Sequence, residues 1–129
     1  MSKEYIDFVN SVTSESSKEM LEMVHSFAVM QEQGATPSRL LTTALGLYGE
    51  AAEFSELIKK CIFQGREYTD EVHAELKSEL SDIMWYIAQG CIALDTTIEE
   101  LMEINTHKLQ ERYPDGFDKN RSNKRYMNE

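Results

Sequence analysis

Two stretches on either side of a glycine-containing break constrain this fold more than anything else in the chain. In the first, Thr43, Gly46, Glu50, Glu53, Leu57 and Lys60 follow one another at alternating spacings of three and four. In the second, Val72, Glu75, Glu79, Asp82, Tyr86 and Gln89 do the same. A ladder of this kind runs along one face of an α-helix and forms the seam where helices pack, a place normally filled by apolar side chains. Here Glu50-Ala-Ala-Glu53 and Glu79-Leu-Ser-Asp82 put carboxylates on both seams. Packing the two helices together therefore turns the acids toward each other. An apolar stripe runs beside each ladder, with Leu41, Ala44, Tyr48, Ala51 and Ile58 on one helix and Leu76, Leu80, Ile83 and Ile87 on the other. These stripes are expected to supply the core.

Acids at a seam need compensation. Two like charges ~5 Å apart at an effective dielectric of ~20 repel by roughly 3 kcal/mol, a sizeable part of a small domain's stability. A cation is the expected remedy. An all-oxygen ligand set of Glu50, Glu53, Glu79 and Asp82, without Cys or His, suits a hard ion, Mg²⁺ first and Mn²⁺ as a substitute.

The remaining pattern predicts an all-α chain with four principal helices. A short first helix covers Tyr5 to Val12. After the cap-rich run Thr13 to Ser17, a second helix extends from about Ser17 to Gln33 with Met20, Leu21, Met23, Val24, Phe27 and Met30 on its inner side. The first acidic helix follows from about Ser38 to Phe63, capped by Thr36 or Ser38 with Pro37 in its first turn. Gly65 stops it, and Thr69 or Asp70 caps the second acidic helix, which reaches about Ala93. Thr96 with Glu99 forms a capping box for a last helix to about Glu111. Residues 1–117 read as a single helical domain, and residues 118–129 as a polar, loose tail.

Composition narrows the function classes. At 129 residues and 41% hydrophobic, the chain is long enough for one core. A formal net charge of −10 excludes a duplex nucleic acid binder or an anionic-membrane binder, but admits a polyphosphate bridged by metal ions. Cys61 and Cys91 are isolated and read as reduced core thiols. The N-terminal Met-Ser-Lys-Glu-Tyr lacks a signal-peptide pattern and no apolar run suits a membrane span, so a cytoplasmic protein is expected.

These residues resemble a known family. Gly49-Glu50-Ala-Ala-Glu53, Ile58-Lys59-Lys60, Glu79-Leu-Ser-Asp82-Ile-Met-Trp85-Tyr86, Asn105-Thr-His-Lys108-Leu109 and Arg112-Tyr113-Pro114 together look like the MazG-type all-α nucleoside triphosphate pyrophosphohydrolases, nearest to the single-domain versions carried by tailed phages. The likeness runs from about Leu41 to Phe117. It implies hydrolysis of a (deoxy)nucleoside triphosphate between the α and β phosphates, Mg²⁺ held by Glu50, Glu53, Glu79 and Asp82, and assembly as a homodimer or dimer of dimers. It also implies the host cytoplasm as the location if the chain is phage-borne. Phosphate or nucleotide contacts then fall to Lys59 or Lys60, Asn105, Lys108, Arg112 and Tyr113. Asn105, Lys108 and Arg112 share one helix face, a plausible donor row. Glu53 is the candidate base, and Tyr86 on the acidic seam is either core or a nucleotide contact. Trp85 is expected in the core, and His25, His73 and His107 at the surface or at caps.

Rival readings come from the same residues. Glu22-Met-Val-His25 is an ExxH, yet a ferritin-like di-iron site needs two such pairs and two further glutamates. A homodimeric helical module binding a structural ion is a non-catalytic alternative. A dUTP-, dCTP- or phosphoribosyl-ATP-directed pyrophosphohydrolase is a narrower one.

Overall fold

The computed structural model describes residues 2–123, and every regular element among them is helical. The chain is all-α, as the two ladders require. In order it forms α1 (Lys3–Val12), a 3₁₀ turn (Glu15–Ser17), α2 (Met20–Glu32), α3 (Pro37–Phe63), α4 (Asp70–Ala93), α5 (Ile98–Arg112) and α6 (Lys119–Asn123). It divides into two compact units, Met1–Asp95 and Thr96–Glu129.

The first unit is organised by α3 and α4. Pro37 opens α3, and its missing N–H would have had no helical partner at that position. At the far end Gly65 takes φ 71°, a left-handed conformation that lets the Arg66 N–H return to the Lys60 carbonyl at 3.1 Å. The Thr69 hydroxyl then accepts the Val72 N–H at 3.4 Å and starts α4, so Thr69 rather than Asp70 is the cap. At the opposite end the Thr36 N–H donates to the Ala93 carbonyl at 2.9 Å, tying the start of α3 to the finish of α4. The pair is an antiparallel hairpin.

The two ladders run along the contact of this hairpin, but the acids Glu53, Glu75 and Asp82 stay exposed and the buried seam draws on residues beside them. Val72, Leu76, Cys91 and Ala93 are its buried apolar residues, with Pro37 and Thr43 beside them. The Tyr86 ring lies directly on Gly46, where even a methyl group would collide with it. One turn along, Thr43 sits close to Gly90. Cys91 is buried and Cys61 half-buried, and both are free thiols.

The apolar stripes expected to form the core do not close over themselves. Leu41, Ala44, Tyr48, Ala51 and Leu80 are exposed, Ile58, Ile83 and Ile87 are half-buried, and Leu76 is the member of either stripe that is buried. On α2, Met20, Leu21, Met23, Val24 and Met30 are likewise exposed, with Phe27 half-buried. Trp85 is 55% exposed rather than core. The reason is geometric: two helices meet along a single line of contact, so a hairpin covers little of the stripe that flanks it on either helix.

In the second unit the N-cap sits one residue later than the sequence suggests, and the reciprocal half of a capping box is replaced by a hydroxyl contact. The Thr97 hydroxyl accepts the Glu100 N–H at 3.1 Å, and the Glu100 carboxylate takes the Thr96 hydroxyl. Thr97→Ala is expected to cost about 1 kcal/mol, readable as a lower melting temperature by circular dichroism. Part of the stretch expected to be loose is helical: Asp118 Oδ1 accepts the Arg121 N–H at 2.8 Å and opens α6. The rest of that tail, 124–129, lies outside the described residues.

Candidate active site

Counting away from the Gly46–Tyr86 contact along both antiparallel helices brings Glu50 level with Asp82 and Glu53 level with Glu79. The side chains follow this register. Carboxylate oxygens of Glu50, Glu53 and Glu79 all lie within 4.8 Å of one another. Glu50 and Glu79 are half-buried and Glu53 is exposed, so the three form an open-sided oxygen cluster rather than a sealed one.

Asp82 is exposed and stands outside this group of three, but it is near enough to act on Glu79 electrostatically. The Glu79 carboxyl is held above its ordinary value of 4.5, first by partial loss of water and then by the charges of Glu53, Glu50, Asp82 and Glu75. A raised native pKa means the folded protein binds more protons there than the unfolded chain, so stability from this group is lost as pH rises through the raised value. In EDTA, wild type should therefore match Glu79→Gln below pH 4.5 and fall behind it at higher pH. Paired thermal melts across that range check the sign.

A cleft of about 410 Å³ opens beside the acids, lined by Ala52, Glu53, Glu56, Leu57 and Lys60 of α3 and by Glu79 of α4. One wall is acidic, and Lys60 brings a cation to the other end. Glu56 pairs with both lysines, with Lys60 at 3.6 Å and more closely with Lys59. The Lys59 contact chiefly holds Glu56 below the ordinary carboxylate range. Lys60 lines the cleft, whereas Lys59 lies outside its lining. Tyr86 is half-buried against Gly46, one helical turn beyond Asp82.

Sequence reasoning passed over Arg66. Its Nη2 reaches both oxygens of Glu75 at 2.9 and 2.8 Å, neutralising an acid one turn before Glu79. Nothing in the turn sequence Gly65-Arg66-Glu67 announces that partner. His73 accordingly has a local role, with Nδ1 2.6 Å from the Tyr68 hydroxyl.

The remaining candidates belong to the second unit. Asn105 and Lys108 are exposed on α5, and Arg112 and Tyr113 are half-buried at its end, the guanidinium 5.9 Å from the Tyr113 ring centre. Asn105, Lys108 and Arg112 fall on one face of α5 by their spacing.

A family model described as the MazG nucleotide pyrophosphohydrolase domain matches residues 38–117. The chain belongs to the MazG family. The MazG match begins in the first turn of α3 and contains the acids of both helices as well as α5. The Gene 37 protein of Mycobacterium phage L5 is 39% identical over 70 residues, covering 53% of this chain and 60% of that protein. The chain thus matches less than two thirds of that relative's length. No solved structure matches it. Among the described residues no helix of this MazG protein is long and apolar enough to cross a membrane.

Proposed function

We propose that this protein is a Mg²⁺-dependent pyrophosphohydrolase that cuts (deoxy)nucleoside triphosphates between the α and β phosphates and works as a homodimer or dimer of dimers. The observation that carries the reading is the convergence of Glu50, Glu53 and Glu79 within 4.8 Å beside a cleft that also holds Lys60, in a member of a nucleotide pyrophosphohydrolase family. The donor set fits the ion. Carboxylate oxygens without His or Cys suit Mg²⁺, with Mn²⁺ as a substitute, and an open side suits an ion that keeps waters and binds substrate phosphates. When bound, the ion would offset phosphate charge and make water easier to deprotonate.

The chain's own residues supply the rest. Glu50, Glu53 and Glu79 would hold the ion, with Asp82 as the fourth acid one turn from Glu79 on α4. Glu53, exposed on the cleft wall, is the acceptor for the proton of the attacking water. The water oxygen bonds to the α-phosphorus, the bond to the bridging oxygen of the β phosphate breaks, and monophosphate and pyrophosphate leave. Lys60 at the cleft, with Lys59 in support, offers positive charge to the distal phosphates. Asn105, Lys108, Arg112 and Tyr113 are assigned contacts to phosphate or nucleoside, whereas Tyr86, whose ring packs on Gly46, takes the core reading of the two the sequence left open. Residues 1–117 work as one catalytic domain with 118–129 as a tail, and the phage relative fits action in a host cytoplasm.

The test is incubation with each common NTP and dNTP in Mg²⁺ and in EDTA, with identification of the phosphate product. Monophosphate plus pyrophosphate, lost in EDTA, is the expected result. Orthophosphate release would assign a different bond, and no release from any nucleotide would favour a metal-binding module without turnover.

A further inference from the structure

The strongest unexplained contact in the first unit is that between the Tyr86 ring and Gly46. Gly46 lies four and seven residues before Glu50 and Glu53, and Tyr86 lies four and seven residues after Asp82 and Glu79. One contact therefore stands one turn and two turns from the acids on both helices. Glycine in the middle of a 27-residue helix costs about 1 kcal/mol relative to alanine, so the position calls for a reason. The reason is space: a Cβ at Gly46 would fall on the ring, which no small adjustment relieves. A Cβ on Gly90 would stand 3.1 Å from Thr43 Cγ2, so the close approach continues into the next turn.

We infer that Gly46 and Tyr86 form a positioning pair that fixes the separation of α3 and α4 and thereby the spacing of the three carboxylates. This deepens the metal-dependent reading and rests on it. The ring acts as a spacer of defined thickness, seated on bare backbone. Thicken the contact and the helices part, and the oxygens of Glu50 and Glu53 move away from Glu79. Metal sites are sensitive to such support, since changes just outside the ligands cost about 10- to 100-fold in affinity. Tyr86 on this account acts through its ring and its seat rather than through its hydroxyl.

Titration of Mn²⁺ into metal-free protein, followed by the free Mn²⁺ signal in electron paramagnetic resonance, reads the site without turnover. Gly46→Ala should bind Mn²⁺ about tenfold or more weakly, and Gly46→Ala with Tyr86→Leu should regain most of that loss because the obstructing ring is gone. Tyr86→Phe, which keeps the ring, should bind as wild type does. A folded Gly46→Ala protein with wild-type affinity would overturn the inference. So would a Tyr86→Phe variant that loses affinity tenfold, an outcome that remains decisive if the alanine variant fails to fold. Absence of Mn²⁺ binding by wild type would instead strike the metal site itself, separating failure of the parent reading from failure of this one.

Discussion

Glu53→Gln is expected to abolish nucleotide hydrolysis while leaving the metal-free protein as stable as wild type or slightly more so. The two halves of this result have the same origin. Glu53 lies within 4.8 Å of Glu50 and Glu79, where its oxygen can hold an ion and where its charge repels two neighbours. Removing the charge weakens ion binding and removes the acceptor for a proton, so the loss should exceed the about 10- to 100-fold typical of residues one layer further out. The stability gain is smaller than a sealed seam would give. Because Glu53 is exposed and the cleft is open, the dielectric nearer water applies, and a pair ~5 Å apart repels by about 1 kcal/mol or less. Asp82→Asn should lose turnover as well, through the charge it contributes beside Glu79. Turnover assays with Mg²⁺, paired with melts in EDTA, measure both quantities. Full activity in both variants would refute the site, and a large drop in melting temperature would show that the acids are structural.

Why this much could be read in advance is a matter of local chemistry. The ends of α3 and α4 were legible because Pro37, Gly65 and Thr69 act on the backbone within a few residues of themselves. That the acids of α3 and α4 face each other was legible for a related reason, since both ladders alternate three and four along one helix face. The register itself, with the Tyr86 ring on Gly46 and Glu53 beside Glu79, depends on contacts between residues far apart in the chain and came only with the structure. What the pattern could not show is which face meets which. Leu41, Tyr48 and Leu80 have the spacing of a core whether they are covered by the same chain or by another, and hydrophobicity does not specify the covering surface. The Arg66–Glu75 pair was hidden because it joins a turn to a helix nine residues away through a freely rotating side chain. The shift from Thr96 to Thr97 reflects two adjacent residues with nearly equal capping ability, each with a glutamate three positions on.

The second large effect concerns that outward face. Sedimentation velocity is expected to give a mass of two or four chains of 14.9 kDa, and Leu45→Glu with Tyr48→Glu should shift it toward one. Leu41, Leu45 and Tyr48 recur at i, i+4 and i+7 along α3, with Leu45 68% and Tyr48 81% exposed. On α4, Leu80, Met84, Trp85 and Ile92 are exposed too. A pair of helices of 27 and 24 residues that keeps so few apolar side chains from water has most of its hydrophobic driving force still unused. Each large side chain fully buried stabilises by about 1.5–3 kcal/mol. In a two-fold arrangement every residue counts twice, so Leu45 and Tyr48 alone represent several kcal/mol per dimer. Two buried glutamates on each chain would reverse that gain and add a desolvation cost. The wild-type melting temperature should accordingly rise with protein concentration, whereas that of the double variant should be lower and independent of it. A monomer at working concentration, or a double variant that still sediments as a dimer, would move the interface off this face. Hydrolysis by the double variant at high protein concentration then decides a further point: activity that returns as the chains reassociate would make the second copy part of the site, because Glu50, Glu53 and Glu79 come from α3 and α4 of one chain and are left untouched by the substitutions.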